Sequence, residues 1–308
     1  MARETNTTSG IALVDKPQGW TSHDVVAKSR GIFNTRKVGH AGTLDPMATG
    51  LLVLGVNSST RLLTYLVGLD KEYVATIRLG ASSVTDDAEG EILGYAPASQ
   101  IARVTHDDIT AGIVALTGEI SQVPSSVSAI KVDGKRSYAR VRSGEAVELA
   151  ARPVTVSEFE LLDLRSVNVD RHPVIDLDVR VVCSSGTYIR ALARDLGFAL
   201  GVGGHLTALR RTRVGAFSVA QAKPFDAEAS VPTLLSPTEA ATRVFTRVDL
   251  TAEQAIELIQ GKRPQVAAAD GGPLAAVDPE GRLVGLVNVS KGIARTIVNF
   301  PADEEKEN

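Results

Sequence analysis

Polar and apolar residues alternate most cleanly in VIDLDVRVV. There Ile175, Leu177, Val179 and Val181 fall on one side and Asp176, Asp178 and Arg180 on the other, which predicts a half-buried strand. YVATIRLG alternates in the same way from Tyr73 to Leu79. IALVDKP reads as a short strand ending at a turn, and LLVLGV (51–56) as a buried strand. TSHDVVAKSRGIF sets Ser22 as an N-cap before apolar residues at helical spacing and predicts a helix. HDDITAGIVALTGE predicts another, with Ile109, Ile113 and Leu116 on one face. SSVTDDAEGE is a polar loop, and Asp133–Gly134 in AIKVDGKRSYARV is a hairpin signal. CSSGTYIRALARDLG runs from strand through loop into helix. On that helix Ile189, Leu192 and Leu196 face a core while Arg190 and Arg194, four apart, share another face.

Residues 223–245 show no period and read as an extension leading to a linker. Beyond them Thr251 and Gln254 form a capping box, TAEQAIELIQ is helical, and Gly261 ends it. Short strands follow around Leu274–Val277, Leu283–Val287 and Ile293–Val298. Strands and helices come in mixed order with no βαβ rhythm, so the expected class is α+β.

Composition changes this picture little: at 308 residues, 44% hydrophobic and 22% charged, the chain is globular and long enough for two domains. Its single cysteine, Cys183, excludes an internal disulfide framework and a multi-cysteine metal site. MARETNTTSG lacks a signal-peptide pattern and no apolar run approaches about 18 residues, so a cytoplasmic location without a membrane span is expected. The net charge of −3 argues mildly against a nucleic-acid partner, but the charge is unevenly spread. Six arginines face Asp195 alone between Arg180 and Arg213, and five Lys/Arg face Asp133 alone between Lys131 and Arg142. Acid gathers at Asp303, Glu304, Glu305 and Glu307. Such a chain carries either a basic face for a polyanion or ordinary solvated faces.

Several chemistries find no support. GKRS at Gly134 lacks the upstream glycine of a phosphate-binding loop, and GVGGH (201–205) is not a dinucleotide fingerprint. His23, His40, His106, His172 and His205 have no metal-ligand spacing, so no metal is expected. No G-x-S-x-G elbow is present. There remains Asp45, in GHAGTLDPMATG (39–50). Asp-Pro is a stock helix start, with the carboxylate as N-cap and proline at the first helical position. Yet capping does not account for Gly39, Gly42 and Gly50, which permit positive φ or the close approach of a ligand. Both readings, cap and reactive carboxylate, stand on the residues alone.

GHAGTLDPMATGLLVLGV closely resembles the catalytic segment of the bacterial tRNA pseudouridine synthase B family. The likeness extends through LVDKPQGWTSHD (13–24), KEYVATIRLG (71–80), VPSSVSAIKVDGKRSYARVRSG (123–144), CSSGTYIRALARDLG (183–197) and GGHLTALRRTRVGAF (203–217). The resemblance implies a pseudouridine synthase fold with a mixed, largely antiparallel sheet and a central cleft, plus a small C-terminal PUA-like RNA-binding domain. The division it implies is a disordered 1–9, a catalytic domain at 10–235, a linker at 236–247, the PUA-like domain at 248–300 and an acidic tail at 301–308. The implied activity is isomerisation of the T-loop uridine of tRNA (position 55), with no cofactor, no protein partner and a monomeric state. The alternatives are a non-catalytic protein that binds or folds structured RNA and a hydrolase that releases uracil.

The resemblance also implies roles. Asp45 is the nucleophile after base flipping, Arg190 pairs with it and keeps it ionised, and Tyr73 stacks on the uracil. His40 supports the flipped arrangement, and Tyr188 and Leu209 line the base pocket. Lys16, Lys131, Arg136 and Arg142 meet phosphates or order the site, and Asp87 organises it.

Overall fold

A computed structural model describes residues 7–125, 149–225 and 232–301, together with the backbone of 131–132 and 135–136. Contacts within the chain divide it into two compact units. One comprises residues 1–46, 50–67 and 214–308, the other 47–49 and 68–213. Strands and helices follow one another in irregular order, an α+β arrangement.

In the first unit the strand Gly10–Lys16 pairs antiparallel with Thr49–Val56, from Gly10 opposite Val56 to Lys16 opposite Gly50. Val38–His40 adds antiparallel to Thr49–Val56, while Lys223–Pro224 runs parallel to the strand Gly10–Lys16. The helix Ser22–Ile32 lays Val25 and Val26 on a core that includes Val14, Phe33, Leu52 and Leu54. Its cap is Thr21 rather than Ser22. Thr21 is extended and forms a reciprocal capping box with Asp24, which frees the Ser22 hydroxyl for another use. The disorder expected of residues 1–9 does not extend to Thr8 and Ser9. The Asn57 amide donates to the Thr8 carbonyl at 2.8 Å, and the Ser9 hydroxyl meets that of Ser58 at 2.8 Å.

The C-terminal strands belong to this same unit, which departs from the division at residue 235. The expected linker, 236–247, instead holds the helix Pro237–Thr242. Ser236 and Glu239 cap it reciprocally, Pro237 opens it, and Ala240 and Ala241 are buried. A four-stranded sheet follows in the order Arg247–Asp249, Gly271–Val277, Leu283–Ser290, Ile293–Asn299. Its first pair is parallel and the others antiparallel. The helix Ala252–Ile259, capped by Thr251 and Gln254, buries Ala255 and Leu258 against it. Tyr65 and Phe245 meet edge to face at 5.7 Å and join the segment before residue 67 to this part of the unit.

The second unit is built on strands ordered Gly204–Val214, Lys71–Leu79, His172–Cys183, Arg152–Val169, Gly118–Gln122. His172–Cys183 pairs antiparallel with Lys71–Leu79, from Ile175 opposite Leu79 to Cys183 opposite Lys71. The predicted alternation holds: Leu177, Val179 and Val181 are buried, as are Lys71, Tyr73, Ala75, Ile77 and Leu79. The other side of these strands carries an ion-pair lattice. Arg180 bonds Glu72, Glu158 and Glu160; Arg165 bonds Asp163 and Asp178; Arg78 bonds Asp176. The helix His106–Ala115 buries Ile109 and Ile113, but Leu116 is its half-buried C-cap rather than a helical core position. Part of the expected polar loop after Leu79 is a small strand pair, Ala81–Ser83 with Ile92–Tyr95. Lys131–Val132 pairs with Lys135–Arg136 as a hairpin requires, while its turn, Asp133 and Gly134, lies outside the described residues. Among the described residues no helix is long and apolar enough to cross a membrane.

Candidate active site

Asp45 does not cap a helix. Pro46 and Met47 form a turn and the strand Thr49–Val56 begins directly after it. The Pro46 carbonyl, which a helix would offer to residue 50, instead accepts the Gly19 amide at 2.8 Å and the Lys16 ammonium at 3.3 Å. Gly50 has φ of +100°, which a right-handed helix excludes.

Both neighbours of Asp45 are anchored. On one side Leu44 is buried, its amide donating to the Ser22 hydroxyl at 2.8 Å and its carbonyl accepting from it at 3.1 Å. On the other side Pro46 is held as described. Asp45 itself is half-buried between them. Of the glycines around it, Gly42 (φ +94°) and Gly50 take conformations that side chains disfavour. Gly39 serves close approach instead, since a Cβ there would lie 3.0 Å from the Leu63 side chain. His40, half-buried, meets the His23 ring edge to face at 5.8 Å.

Lys16 is fully buried. Its ammonium donates to the carbonyls of Pro17 (3.0 Å), Trp20 (2.6 Å) and Pro46 (3.3 Å). Of the two roles expected for it, this geometry serves ordering of the loop.

In the second unit Arg190 stands in the first turn of the helix Ile189–Ala199. A cation there opposes the helix dipole, and burial to 5% exposure adds a desolvation cost. Asp87, 2% exposed, offsets both, its carboxylate lying 3.3 Å from the Arg190 guanidinium, which also donates to the Thr85 carbonyl at 3.0 Å. Arg190 is thus no surface arginine, and its carboxylate partner within its own unit is Asp87. The Asp87 carboxylate also accepts the Glu89 amide at 3.0 Å.

Tyr188 precedes the helix and is half-buried. Its amide donates to the buried Gln122 side chain at 2.8 Å, and its carbonyl accepts from that side chain at 3.1 Å. Tyr73 and Leu209 are both buried, at 8% and 7% exposure. Tyr73 shares the buried side of its strand with Lys71, whose ammonium donates to the Leu69 carbonyl at 2.5 Å. Desolvation, reinforced by the neighbouring Arg211, pulls the Lys71 pKa down to about 8. Arg142 and the side chains of Lys131 and Arg136 lie outside the described residues.

The sequence does not mark Gln122, Asp86 or Arg194 as site residues. Asp86 and Arg194 left a faint mark there: two adjacent acids in TDDAEG, and two arginines four apart on one helix.

Three family models match this α+β chain. "TruB family pseudouridylate synthase (N terminal domain)" matches residues 30–189, "tRNA pseudouridylate synthase B C-terminal domain" 190–231, and "tRNA Pseudouridine synthase II, C terminal" 245–301. The chain belongs to the TruB family of pseudouridylate synthases. A protein of Leifsonia xyli subsp. xyli described as tRNA pseudouridine synthase B is 62% identical over 299 residues, 96% of this chain and 98% of its own. One of Streptomyces griseus with the same description is 56% identical over 97% of this chain and 100% of its own. Among solved structures, a Cbf5-Nop10-Gar1 complex contains a chain that is 25% identical with a TM-score of 0.68, covering 96% of this chain and 85% of that one. An H/ACA RNP bound to a substrate RNA contains one at 24% identity and TM-score 0.68, covering 97% and 86%, which shows the shared fold.

Proposed function

We propose that this protein isomerises the T-loop uridine of tRNA, at position 55, to pseudouridine, with Asp45 as the nucleophile. The observation that carries this reading is the identity of 62%, over nearly the whole of both chains, to a relative described as tRNA pseudouridine synthase B. The anchored setting of Asp45 supports it, because a nucleophile gains from being held in one attack geometry.

The reaction breaks the uracil N1–C1′ bond, turns the base, forms a C5–C1′ bond, releases the C5 proton and leaves N1 to take one up. Atoms and electrons balance without oxidant, reductant or nucleotide cofactor. A carboxylate must be ionised to take part, and burial alone would raise its pKa. Arg190 supplies the compensating cation, and Asp87 holds Arg190. Tyr73 stacks on the uracil, a contact worth about 1–3 kcal/mol per base. Turning the base out of the folded T-loop costs a few kcal/mol, and His40 supports the flipped arrangement. Tyr188 and Leu209 line the base pocket. Lys131, Arg136 and Arg142 contact phosphates, which position the RNA, while loop shape supplies specificity. The enzyme acts in the cytoplasm as a monomer without a protein partner.

The test uses unmodified tRNA carrying tritium at uridine C5. Release of tritium to water with the RNA mass otherwise unchanged is expected. Release of free uracil would make the protein a hydrolase, and release of neither would make it an RNA-binding protein. Asp45→Asn is expected to abolish release while tRNA affinity stays within about tenfold, or ~1.4 kcal/mol. A larger loss of affinity would assign Asp45 to recognition or folding.

A further inference from the structure

The helix Ile189–Ala199 carries a second arginine one turn beyond Arg190, and its bonds converge from the elements that hold the first. Arg194 Nη1 lies 3.2 Å from Asp86 Oδ2, Nη2 donates to the Val123 carbonyl at 2.7 Å, and Nε donates to Asp195 Oδ1 at 2.8 Å. Asp86 and Asp87 are consecutive, and so are the two rungs they make: Asp87 with Arg190, Asp86 with Arg194. Asp86 has φ of +60°, a conformation residues with side chains seldom adopt. Its backbone is pinned on both sides, the amide donating to Ser83 at 3.3 Å and the carbonyl accepting from Leu206 at 3.0 Å. The loop can therefore present both carboxylates to one helix face only while Asp86 stays in this conformation, and Arg194 grips its side chain.

The Val123 carbonyl matters as much. Val123 directly follows the strand Gly118–Gln122, whose last residue, Gln122, holds Tyr188 just before the helix. One guanidinium thus ties the helix bearing Arg190, the loop bearing Asp87 and the end of the strand Gly118–Gln122.

We propose that Arg194 is a positioning residue for the isomerisation: through Asp86 and Val123 it fixes where the Arg190 guanidinium stands. The proposal rests on the role given to Arg190 above. A residue that merely added stability would leave the rate of the folded enzyme on saturating tRNA unchanged, so that rate is the discriminating readout.

The experiment measures single-turnover pseudouridine formation and tRNA affinity on the full-length protein, for the wild type, Arg194→Met, Arg194→Lys, Asp86→Asn and the double variant Arg194→Met/Asp86→Asn. At saturating tRNA, Arg194→Met is expected to slow the reaction by about tenfold or more with affinity within about threefold. Arg194→Lys recovers part of the rate, since an ammonium keeps its charge toward Asp86 but cannot span all three acceptors. Asp86→Asn slows the reaction as well, and the double variant falls less than about twofold below Arg194→Met, because both changes break one rung. A rate for Arg194→Met within about twofold of wild type, a loss confined to affinity, or losses that multiply in the double variant would each overturn the proposal. Should Arg194→Met not fold, Asp86→Asn decides alone, and an unchanged rate there overturns it. A wild type that forms no pseudouridine in tRNA sinks the functional reading itself, which separates that failure from this one.

Discussion

Gly197 and Gly204 face each other so closely that neither can carry a side chain. A Cβ on Gly197 would stand 2.2 Å from the Gly204 amide nitrogen, and one on Gly204 would stand 2.4 Å from the Ala193 carbonyl. The helix with Arg190 and Arg194 is thereby seated directly on the backbone that begins the strand Gly204–Val214. Gly197→Ala is expected to cost about 3 kcal/mol, the upper part of the overpacking range, because the obstacle is backbone and cannot rotate away. Gly31→Ala is the contrast: its Cβ would meet nothing within 4 Å, so stability should hold or rise by up to about 1 kcal/mol. Urea unfolding of both variants checks the pair, and equal effects would contradict the packing described.

Gln122 satisfies the amide and the carbonyl of Tyr188 from a buried position. Gln122→Ala should destabilise the protein by about 2 kcal/mol, since it takes the acceptor from the Tyr188 amide and one donor from a carbonyl that the Ala191 and Leu192 amides also serve. Gln122→Glu keeps the acceptor and loses the donor, and should fall between. A melting temperature for Gln122→Ala equal to that of the wild type would show that these bonds are dispensable.

Lys71 gives a pH-dependent prediction. Its folded pKa of about 8 is below the free value, chiefly through desolvation and then through Arg211, so folding disfavours its charged form. Below pH 8 the fold bears the whole penalty; above it the penalty is relieved until the unfolded lysine also loses its proton. Lys71→Met should be the more stable protein at pH 7, by about 2 kcal/mol after allowing for the lost bond to Leu69. That margin should shrink between pH 8 and 10. A margin that is constant with pH would mean the lysine titrates normally.

His205 acts at the other end of the scale. It is 3% exposed, and its Nδ1 must carry the proton that the Ala81 carbonyl accepts at 2.9 Å. Desolvation lowers its pKa, so the fold favours the neutral ring. Its contribution is complete above the free value of about 6.5 and is lost as the pH falls below it. The wild type should lose more thermal stability than His205→Gln on going from pH 7.5 to 5.5. Parallel losses would remove His205 from the acid response.

What the sequence disclosed, and what it withheld, divides by distance along the chain. The alternation of Ile175 to Val181 and of Tyr73 to Leu79 was legible because strand period and burial are local properties. The capping box at Thr251 is legible for the same reason, and the start of the first helix to within one residue, Thr21 for Ser22. Asp45 misled as a helix cap, since the local Asp-Pro signal was overruled by Gly19 and Lys16, which take the Pro46 carbonyl from elsewhere. Nothing in the chain near Lys16 announces three carbonyls around its ammonium. Gln122 and Tyr188 are 66 residues apart, and Asp86 and Arg194 are 108 apart. Only the fold brings such partners together, so neither pairing is legible in the sequence.

The ion-pair lattice on the outward side of the Lys71–Leu79, His172–Cys183 and Arg152–Val169 strands has a bearing on how a nucleic acid arrives. Glu72, Glu158, Glu160, Asp163, Asp176 and Asp178 outnumber Arg78, Arg165 and Arg180, and each of these arginines is already occupied by carboxylate. Among these described residues the carboxylates leave a net negative charge, which repels phosphates. A polyanion is turned aside there before any contact forms, and dilute salt, which lengthens the reach of that repulsion, makes its choice of approach stricter.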